Sequence, residues 1–241
     1  VFGLPHQTPE GIQETIYKTN QLSPDRIAFY SYAHVPWMKG NGQRGFDEKD
    51  LPQANKKREL YEIGKELFYE NGYVEIGMDH FALKTDSLYQ AMQKGTLHRN
   101  FMGYTTGANK VMIGLGMSAI SDSWYSFAQN EKNLKDYEKS VEEGTLPIFR
   151  GHLLSNTDLL IREQILNIMC RFKTVFDGSE SLMRQIKRRL FPLVEDGLVE
   201  VSGREIEVME KGIPFVRNIC MAFDLKLHQS KPEVPTFSKT I

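Results

Sequence analysis

Helical spacing followed by a short apolar run, twice over, governs what the first part of this chain can become. Thr8-Pro9-Glu10 opens the first helix: threonine caps, proline suits the first helical position, and glutamate favours the positive end of the helix dipole. Ile12 and Ile16 mark its inner face, and Ser23-Pro24-Asp25 ends it. Arg26-Ile27-Ala28-Phe29-Tyr30-Ser31-Tyr32 then reads as a strand. Val1-Phe2-Gly3-Leu4-Pro5 reads as the end of an earlier strand, so strand, helix and strand follow in the order of a right-handed parallel unit. A second helix, from about Pro52 to Glu70, carries Leu60, Ile63, Leu67 and Phe68 on one face, stops at Asn71-Gly72 and feeds the strand Tyr73-Val74-Glu75-Ile76. In a parallel sheet ligands sit beyond the carboxyl ends of the strands. Gly3, Ala33, Asp79 and His80 all fall at that end.

The remainder reads differently. Met38 to Asp50, with Gly40, Gly42 and Gly45 among charges, is expected as a mobile loop able to act as a lid. Beyond Tyr125 the pattern turns helical. Leu134 to Glu143 is amphipathic, Gly144-Thr145-Leu146-Pro147 breaks it, Asn156-Thr157-Asp158 caps an apolar helix through Phe172, and a further helix runs from about Ser179 to Val194. Leu198 to Val201 and Glu205 to Val208 alternate with period two about a turn at Ser202-Gly203, the pattern of a hairpin, before a helix from Pro214 to about Leu227. The tail from Ser230 to Ile241, with Pro232 and Pro235, reads as extended. Two domains are expected, residues 1–127 and 128–241, the second mostly helical with a winged-helix-like hairpin.

A wing invites a nucleic-acid reading, which charge opposes. Glu195, Asp196, Glu200, Glu205, Glu207 and Glu210 crowd acid around the hairpin and would repel phosphates, so a lid over the first domain is the better use. Thirty basic and 31 acidic residues leave a net charge of -1, and they are spread along the chain, so neither nucleic acid nor an anionic membrane is indicated. With no apolar span of about twenty residues and no secretory signal, a cytoplasmic protein that handles a small molecule is expected. Cys170 and Cys220 both lie in apolar helical patterns, where a thiol behaves as a small hydrophobe.

Chemistry is densest between Gly77 and Ile120. Asp79 and His80 follow directly on a strand, and groups at a strand's exit commonly face a ligand. His34, Asp79, His80 and His98 are of types that suit zinc or iron, but none has a spacing that fixes two ligands on one element, so no metal is assigned to them. Arg99 offers a guanidinium fork for carboxylates, with a surface ion pair as the alternative. Phe101 and Tyr104 suit a flat ligand or a core equally. Gly114-x-Gly116 lacks the third glycine of a dinucleotide fingerprint and instead suits close backbone approach to a flat ligand. Ile120 has a plain reading as core.

Taken in order, Gly77-Met78-Asp79-His80-Phe81-Ala82, Leu97-His98-Arg99-Asn100-Phe101-Met102-Gly103-Tyr104-Thr105-Thr106 and Gly114-Leu115-Gly116-Met117-Ser118-Ala119-Ile120 resemble the oxygen-independent coproporphyrinogen III oxidases. These are radical S-adenosylmethionine enzymes of haem biosynthesis. The resemblance runs from Gly3-Leu4-Pro5 through Tyr32-Ala33-His34 to Arg217-Asn218-Ile219-Cys220-Met221 and Phe237-Ser238, nearly the whole chain. It implies an α/β fold, the C-terminal part of a radical S-adenosylmethionine partial (β/α) barrel followed by a helical, winged-helix-like domain. The implied reaction is oxidative decarboxylation of two propionates of coproporphyrinogen III to vinyl groups, giving protoporphyrinogen IX, started by a 5'-deoxyadenosyl radical. Two S-adenosylmethionine molecules and a 4Fe-4S cluster are the implied cofactors and a reductant of the cluster an implied partner; a monomer is expected.

Carried over residue by residue, the resemblance sets Val1, Ala33, Phe101 and Ile120 against S-adenosylmethionine, Ile120 on the molecule at the cluster and Ala33 on a second. Arg99, Asp79 and His80 are carried over to the substrate, and no residue here is given a catalytic role. The family's Cys-x3-Cys-x2-Cys is missing from this sequence, and thiolates are the iron ligands. The chain therefore reads as the C-terminal part of a longer enzyme, inactive alone. At Met102 the family often carries glutamine, so no polar substrate contact is carried over there. The related haem chaperones look like Glu-Ile-Ser-Asn-Phe-Ala where this chain has Ile76 to Ala82, which favours the oxidase. A non-catalytic interaction domain built on the wing is the remaining alternative.

Overall fold

The computed structural model describes residues 1–36, 43 and 45–229. Of the lid expected at 38–50, residues 38–42 and 44 lie outside that set, as does the extended tail from 230. Two compact units are present, one made of Val1–Lys94 and the chain from Leu225, the other of Gly95–Asp224.

In the first unit Thr8 caps α1 (Pro9–Gln21), its hydroxyl accepting from the Gly11 N–H at 3.1 Å. Then follow β1 (Arg26–Ala28), α2 (Ala54–Glu70), β2 (Tyr73–Gly77), β3 (His80–Leu83) and α3 (Ser87–Gln93). The sheet runs β1-β3-β2 with β3 antiparallel to both neighbours. Two of the expected strands therefore point the same way, but a hairpin strand closed by a turn at Met78-Asp79 stands between them. The run expected as a strand through Tyr32 keeps ladder pairing only to Ala28. Its parallel pairing with the chain start survives as one bridge, Phe2 with Ser31, in which the Phe2 N–H donates to the Tyr30 carbonyl at 2.9 Å and the Tyr32 N–H to the Phe2 carbonyl at 2.7 Å.

The helices pack on this frame through Phe2, Ile12, Ile16, Phe29, Leu60, Tyr61, Phe68, Tyr73 and Phe81, all buried. Phe29 lies at the centre, 4.8 Å from the Phe2 ring and edge-on to Phe68 at 5.2 Å. Gly64, in mid-helix, is what lets α2 approach: a Cβ there would stand 2.4 Å and 2.5 Å from two atoms of the Phe29 ring. Gly72, at φ +84, turns the chain out of α2, since that backbone region is open to glycine at little cost.

The second unit contains β4 (His98–Asn100), β5 (Gly103–Thr105), β6 (Ile120–Asp122), β7 (Ser126–Asn130), α4 (Leu134–Glu142), β8 (Ile148–Leu153), α5 (Asn156–Arg171), β9 (Lys173–Val175), α6 (Glu180–Glu195), β10 (Val199–Ser202), β11 (Glu205–Val208) and α7 (Val216–Met221). Its sheets, β4-β5, β6-β7-β8 and β10-β11-β9, are antiparallel throughout. The hairpin and the helix before it match the sequence pattern, with Gly203-Arg204 forming the turn.

Four expectations need correction. A division at 127/128 would cut β7, which is paired on both sides. The region past Tyr125 is not helical at once, because β7 and β8 form a ladder around α4. The cap of α5 is Ser155, one residue earlier than expected, in a reciprocal box with Asp158. Residues 214–227 do not make one helix: a 3-10 helix Glu210–Phe215 leads into α7, and α8 (Leu225–Gln229) follows separately in the first unit.

Candidate functional site

The carboxyl end of the Phe2 and Tyr32 segments gathers several expected residues. Gly3 turns away at φ +79, and its N–H donates to the Gln7 Oε1 at 2.7 Å. Ala33 is held by Gln43, whose Nε2 donates to the Ala33 carbonyl at 2.8 Å and whose Oε1 accepts from the Val35 N–H at 2.6 Å. Lys57 reaches from α2 to the Tyr32 carbonyl, 3.2 Å from its Nζ. Val1 is 55% exposed. Nothing local in the sequence separates Lys57 from Lys56 and Arg58 beside it, and Gln43 carries no signal at all.

Asp79 and His80 sit at the β2–β3 turn, a little before Ala33 along the sheet. Asp79 adopts φ +65 and its carbonyl accepts from the Phe29 N–H at 2.7 Å. The His80 Nδ1 lies 2.9 Å from the Met78 carbonyl, which fixes the proton on Nδ1 and leaves Nε2 to accept from the Tyr30 hydroxyl at 3.4 Å. The two rings meet edge-on at 5.7 Å. His34 stands apart from this pair, its Nε2 3.9 Å from Glu48 and its ring 5.5 Å from that of Phe46.

In the second unit Arg99 lies on β4 opposite Tyr104 on β5, its guanidinium carbon 4.7 Å from the centre of that ring. The Tyr104 hydroxyl donates to the Met169 carbonyl at 2.9 Å, so the ring is pinned to α5. The Nη1 of Arg99 is buried and has no hydrogen-bond partner among the described residues. A buried unpaired donor costs roughly 1–3 kcal/mol and more when charged, which makes this nitrogen a place for an acceptor from outside the fold.

Phe101 occupies the β4–β5 turn, 54% exposed, and meets Phe127 edge-on at 5.2 Å. Met102 beside it is 81% exposed. Phe127 is itself backed by Arg162, whose guanidinium lies 5.1 Å from that ring and 4.4 Å from Trp124. Arg162 is fixed by two hydrogen bonds to Asp122, at 3.0 Å and 2.6 Å, and one to the Trp124 carbonyl at 3.0 Å. His98 faces Trp124; burial first, then the charges of Arg162 and Arg171, lower its pKa against the pull of Asp122.

Ile120 opens β6, half-buried, and explains the glycine pair before it. A Cβ on Gly114 would stand 2.8–2.9 Å from the carbonyl oxygen, carbonyl carbon and nitrogen of Ile120. The close approach expected toward a flat ligand at Gly114 is thus made to the protein's own backbone, and Asn130 locks it by donating to the Gly114 and Gly116 carbonyls at 3.1 Å and 2.9 Å.

No family model matches the chain. Proteins named oxygen-independent coproporphyrinogen III oxidase from Salmonella typhimurium and Escherichia coli are 38% and 37% identical to it over 249 aligned residues, and one from Synechocystis is 38% identical over 253. Each match takes in all of this chain and 54% of the relative, so the chain spans about half the length of the curated relatives it matches. A solved structure, the coproporphyrinogen III oxidase of Escherichia coli, described as a radical SAM enzyme, superposes with a TM-score of 0.87 at 38% identity, over 94% of this chain and 54% of that one. Over its whole length the chain is thus similar to about half of an oxygen-independent coproporphyrinogen III oxidase.

The similarity to these oxidases makes S-adenosylmethionine and an iron–sulfur cluster the groups to test against the residues present. A cluster needs closely placed thiolates. Cys170 and Cys220 are buried on separate helices, α5 and α7, and burial pushes their thiols up to about 11 and about 12. This chain's residues do not fit a cluster. Each unit offers a group that suits a carboxylate: among the described residues Arg99 has an unpaired guanidinium nitrogen in the second, and Lys57 brings an ammonium to the end of the Phe2–Ser31 bridge in the first.

Proposed function

We propose that this chain is part of an oxygen-independent coproporphyrinogen III oxidase, an enzyme that oxidatively decarboxylates two propionates of coproporphyrinogen III to vinyl groups. Whole-chain identity of 38% to proteins of that name, with a TM-score of 0.87 to a solved one, carries the reading. S-adenosylmethionine, when bound, supplies the 5'-deoxyadenosyl radical, with the cluster and its reductant engaged by sequence other than this one. The protein acts in the cytoplasm as a monomer.

The residues described here bind and orient. Arg99, held over the Tyr104 ring, takes a propionate through its Nη1, unpaired among the described residues. In the first unit His80, with its tautomer set by the Met78 carbonyl, and Asp79 are substrate-binding residues. Phe101 and Ile120 pack against S-adenosylmethionine in the second unit, and Val1 and Ala33 do so in the first. We read α5, β9, α6 and the β10–β11 hairpin as the winged-helix-like module. Glu200, Glu205 and Glu207 lie on its exposed positions, which suits a covering element and opposes nucleic acid.

The test uses the protein expressed from its complete reading frame, reduced and free of oxygen. With S-adenosylmethionine it should convert coproporphyrinogen III to protoporphyrinogen IX with release of two molecules of carbon dioxide. Arg99→Ala should weaken coproporphyrinogen binding by about 2–5 kcal/mol if the pair is buried on binding, Arg99→Lys by less, and the melting temperature should barely change. No conversion and no porphyrinogen binding by the unaltered protein would overturn the assignment. Loss of stability without loss of affinity in the two variants would remove Arg99 from the substrate site.

A further inference from the structure

Lys57 sits in the first turn of α2 and lays its side chain across Gly3. A Cβ on Gly3 would stand 2.9 Å from the Lys57 Cε, 3.2 Å from Cγ and 3.3 Å from Cδ, so the methylenes fill the space that the glycine leaves. The ammonium arrives at the end of the Phe2–Ser31 bridge and donates to the Tyr32 carbonyl at 3.2 Å, one residue before Ala33. It is half-buried, and among the described residues no carboxylate forms an ion pair with it; desolvation alone acts on it and lowers its pKa.

Lys65, two turns along the same helix, shows what this fold does with a comparable lysine. It is also withdrawn from water, yet it pairs with Glu75 at 2.7 Å, and its pKa is raised in spite of desolvation. A cation taken part-way out of water is ordinarily matched by an anion, because the lost hydration is otherwise uncompensated. At Lys57 the described residues supply a carbonyl only. An ammonium has three donors and no acceptor, so two remain beyond the one given to Tyr32.

Within the reading above, in which S-adenosylmethionine and coproporphyrinogen III are the ligands, we infer that Lys57 binds the carboxylate of a ligand seated beside Ala33, Gly3 being the residue that lets the side chain cross to it. Two ligands bring a carboxylate, S-adenosylmethionine through its methionyl group and coproporphyrinogen through its propionates. The chemistry is shared, and the experiment separates the sources.

Equilibrium dissociation constants are measured on the protein from its complete reading frame, as wild type, Lys57→Met and Lys57→Arg. Methionine keeps the packing over Gly3 and loses the charge; arginine keeps the charge. The probes are S-adenosylmethionine, its decarboxylated analogue, coproporphyrin III and coproporphyrin III tetramethyl ester. Lys57→Met should weaken one of the two carboxylate ligands by about tenfold or more, the size expected for a charge-assisted hydrogen bond. It should leave the matching carboxylate-free probe unchanged, and Lys57→Arg should recover part of the loss. The ligand affected names the source. Equal affinity of both carboxylate ligands for wild type and Lys57→Met overturns the inference, as does a parallel loss across all four probes, which would reduce Lys57 to a support for the Tyr32 carbonyl. Should Lys57→Met not fold, Lys57→Gln replaces it with the same two outcomes. Failure of the wild type to bind any of the four probes would instead strike at the proposed function.

Discussion

The Asp122–Arg162 pair should be the most expensive polar contact to break in the second unit. Only 13% of the arginine side chain and 9% of the aspartate are exposed. The carboxylate accepts twice from the guanidinium and, through Oδ1, from the Trp124 N–H at 2.9 Å. Between the two aromatic rings the guanidinium has little water to fall back on. Removing one partner leaves the other as an unpaired buried charge, which costs about 3–5 kcal/mol, about a fifth or more of the roughly 5–15 kcal/mol that holds a typical domain folded. Asp122→Ala and Arg162→Met should each lose that much in urea unfolding followed by the fluorescence of Trp124. The double variant should lose less than the sum, because no charge is left stranded. As a comparison, Glu14→Ala breaks an exposed, solvent-screened i, i+4 pair with Lys18 and should leave the unfolding midpoint almost unmoved. Single losses below about 1 kcal/mol at Asp122 and Arg162, or additive losses in the double variant, would refute the reasoning.

Gly64→Ala should destabilise despite alanine's better helix propensity. Overpacking against the enclosed Phe29 ring costs about 1–3 kcal/mol and the helix gains about 1 kcal/mol, so a net loss of up to about 2 kcal/mol is expected in thermal unfolding; a gain would mean that Phe29 yields freely. His98 gives a pH dependence of defined sign: its pKa is lowered in the fold, so the unfolded chain takes up its proton first. Stability should fall as pH drops below about 6.5 toward the lowered value and level off beneath it. His98→Gln should remove that part of the slope in melting curves taken across the range, and an unchanged slope would show that His98 does not carry it.

What the sequence made legible was whatever depended on neighbours in the chain. Thr8 caps α1, Ile12 and Ile16 face inward, Leu60 and Phe68 bury on α2, and the Glu-rich hairpin pairs in the register its alternation demands. Each follows from a period or a cap, physics that operates over a few residues. β3 was hidden for a related reason: His80 to Leu83 is too short to display a period, and only the two-residue turn at Met78-Asp79 pulls it back onto β2. Gly212, buried in the 3-10 helix that leads into α7, is likewise set by a contact outside its own turn, since a Cβ there would run into the Leu198 carbonyl oxygen.

The candidate site divides along the same line. Residue type and order marked Arg99, Phe101, Ile120, Ala33, Asp79 and His80, but not what stands behind them. The glycine ahead of Ile120 is spent on Ile120's own backbone, Phe101 leans on Phe127 and so on Arg162, forty residues from Asp122, and Ala33 hangs on Gln43. These supports are ordinary residue types at unremarkable spacings. Lys57 is the extreme case, because its chemistry comes from an absence: Lys65 has the same side chain on the same helix and differs by having Glu75 within 2.7 Å. No local pattern distinguishes a lysine with a counter-ion from one without, since the carboxylate that matters is placed by the packing of β2 against α2. A free donor at Arg99 and an unmatched ammonium at Lys57 are therefore what the folded chain adds to its sequence, and both call for an anion that the described residues do not supply.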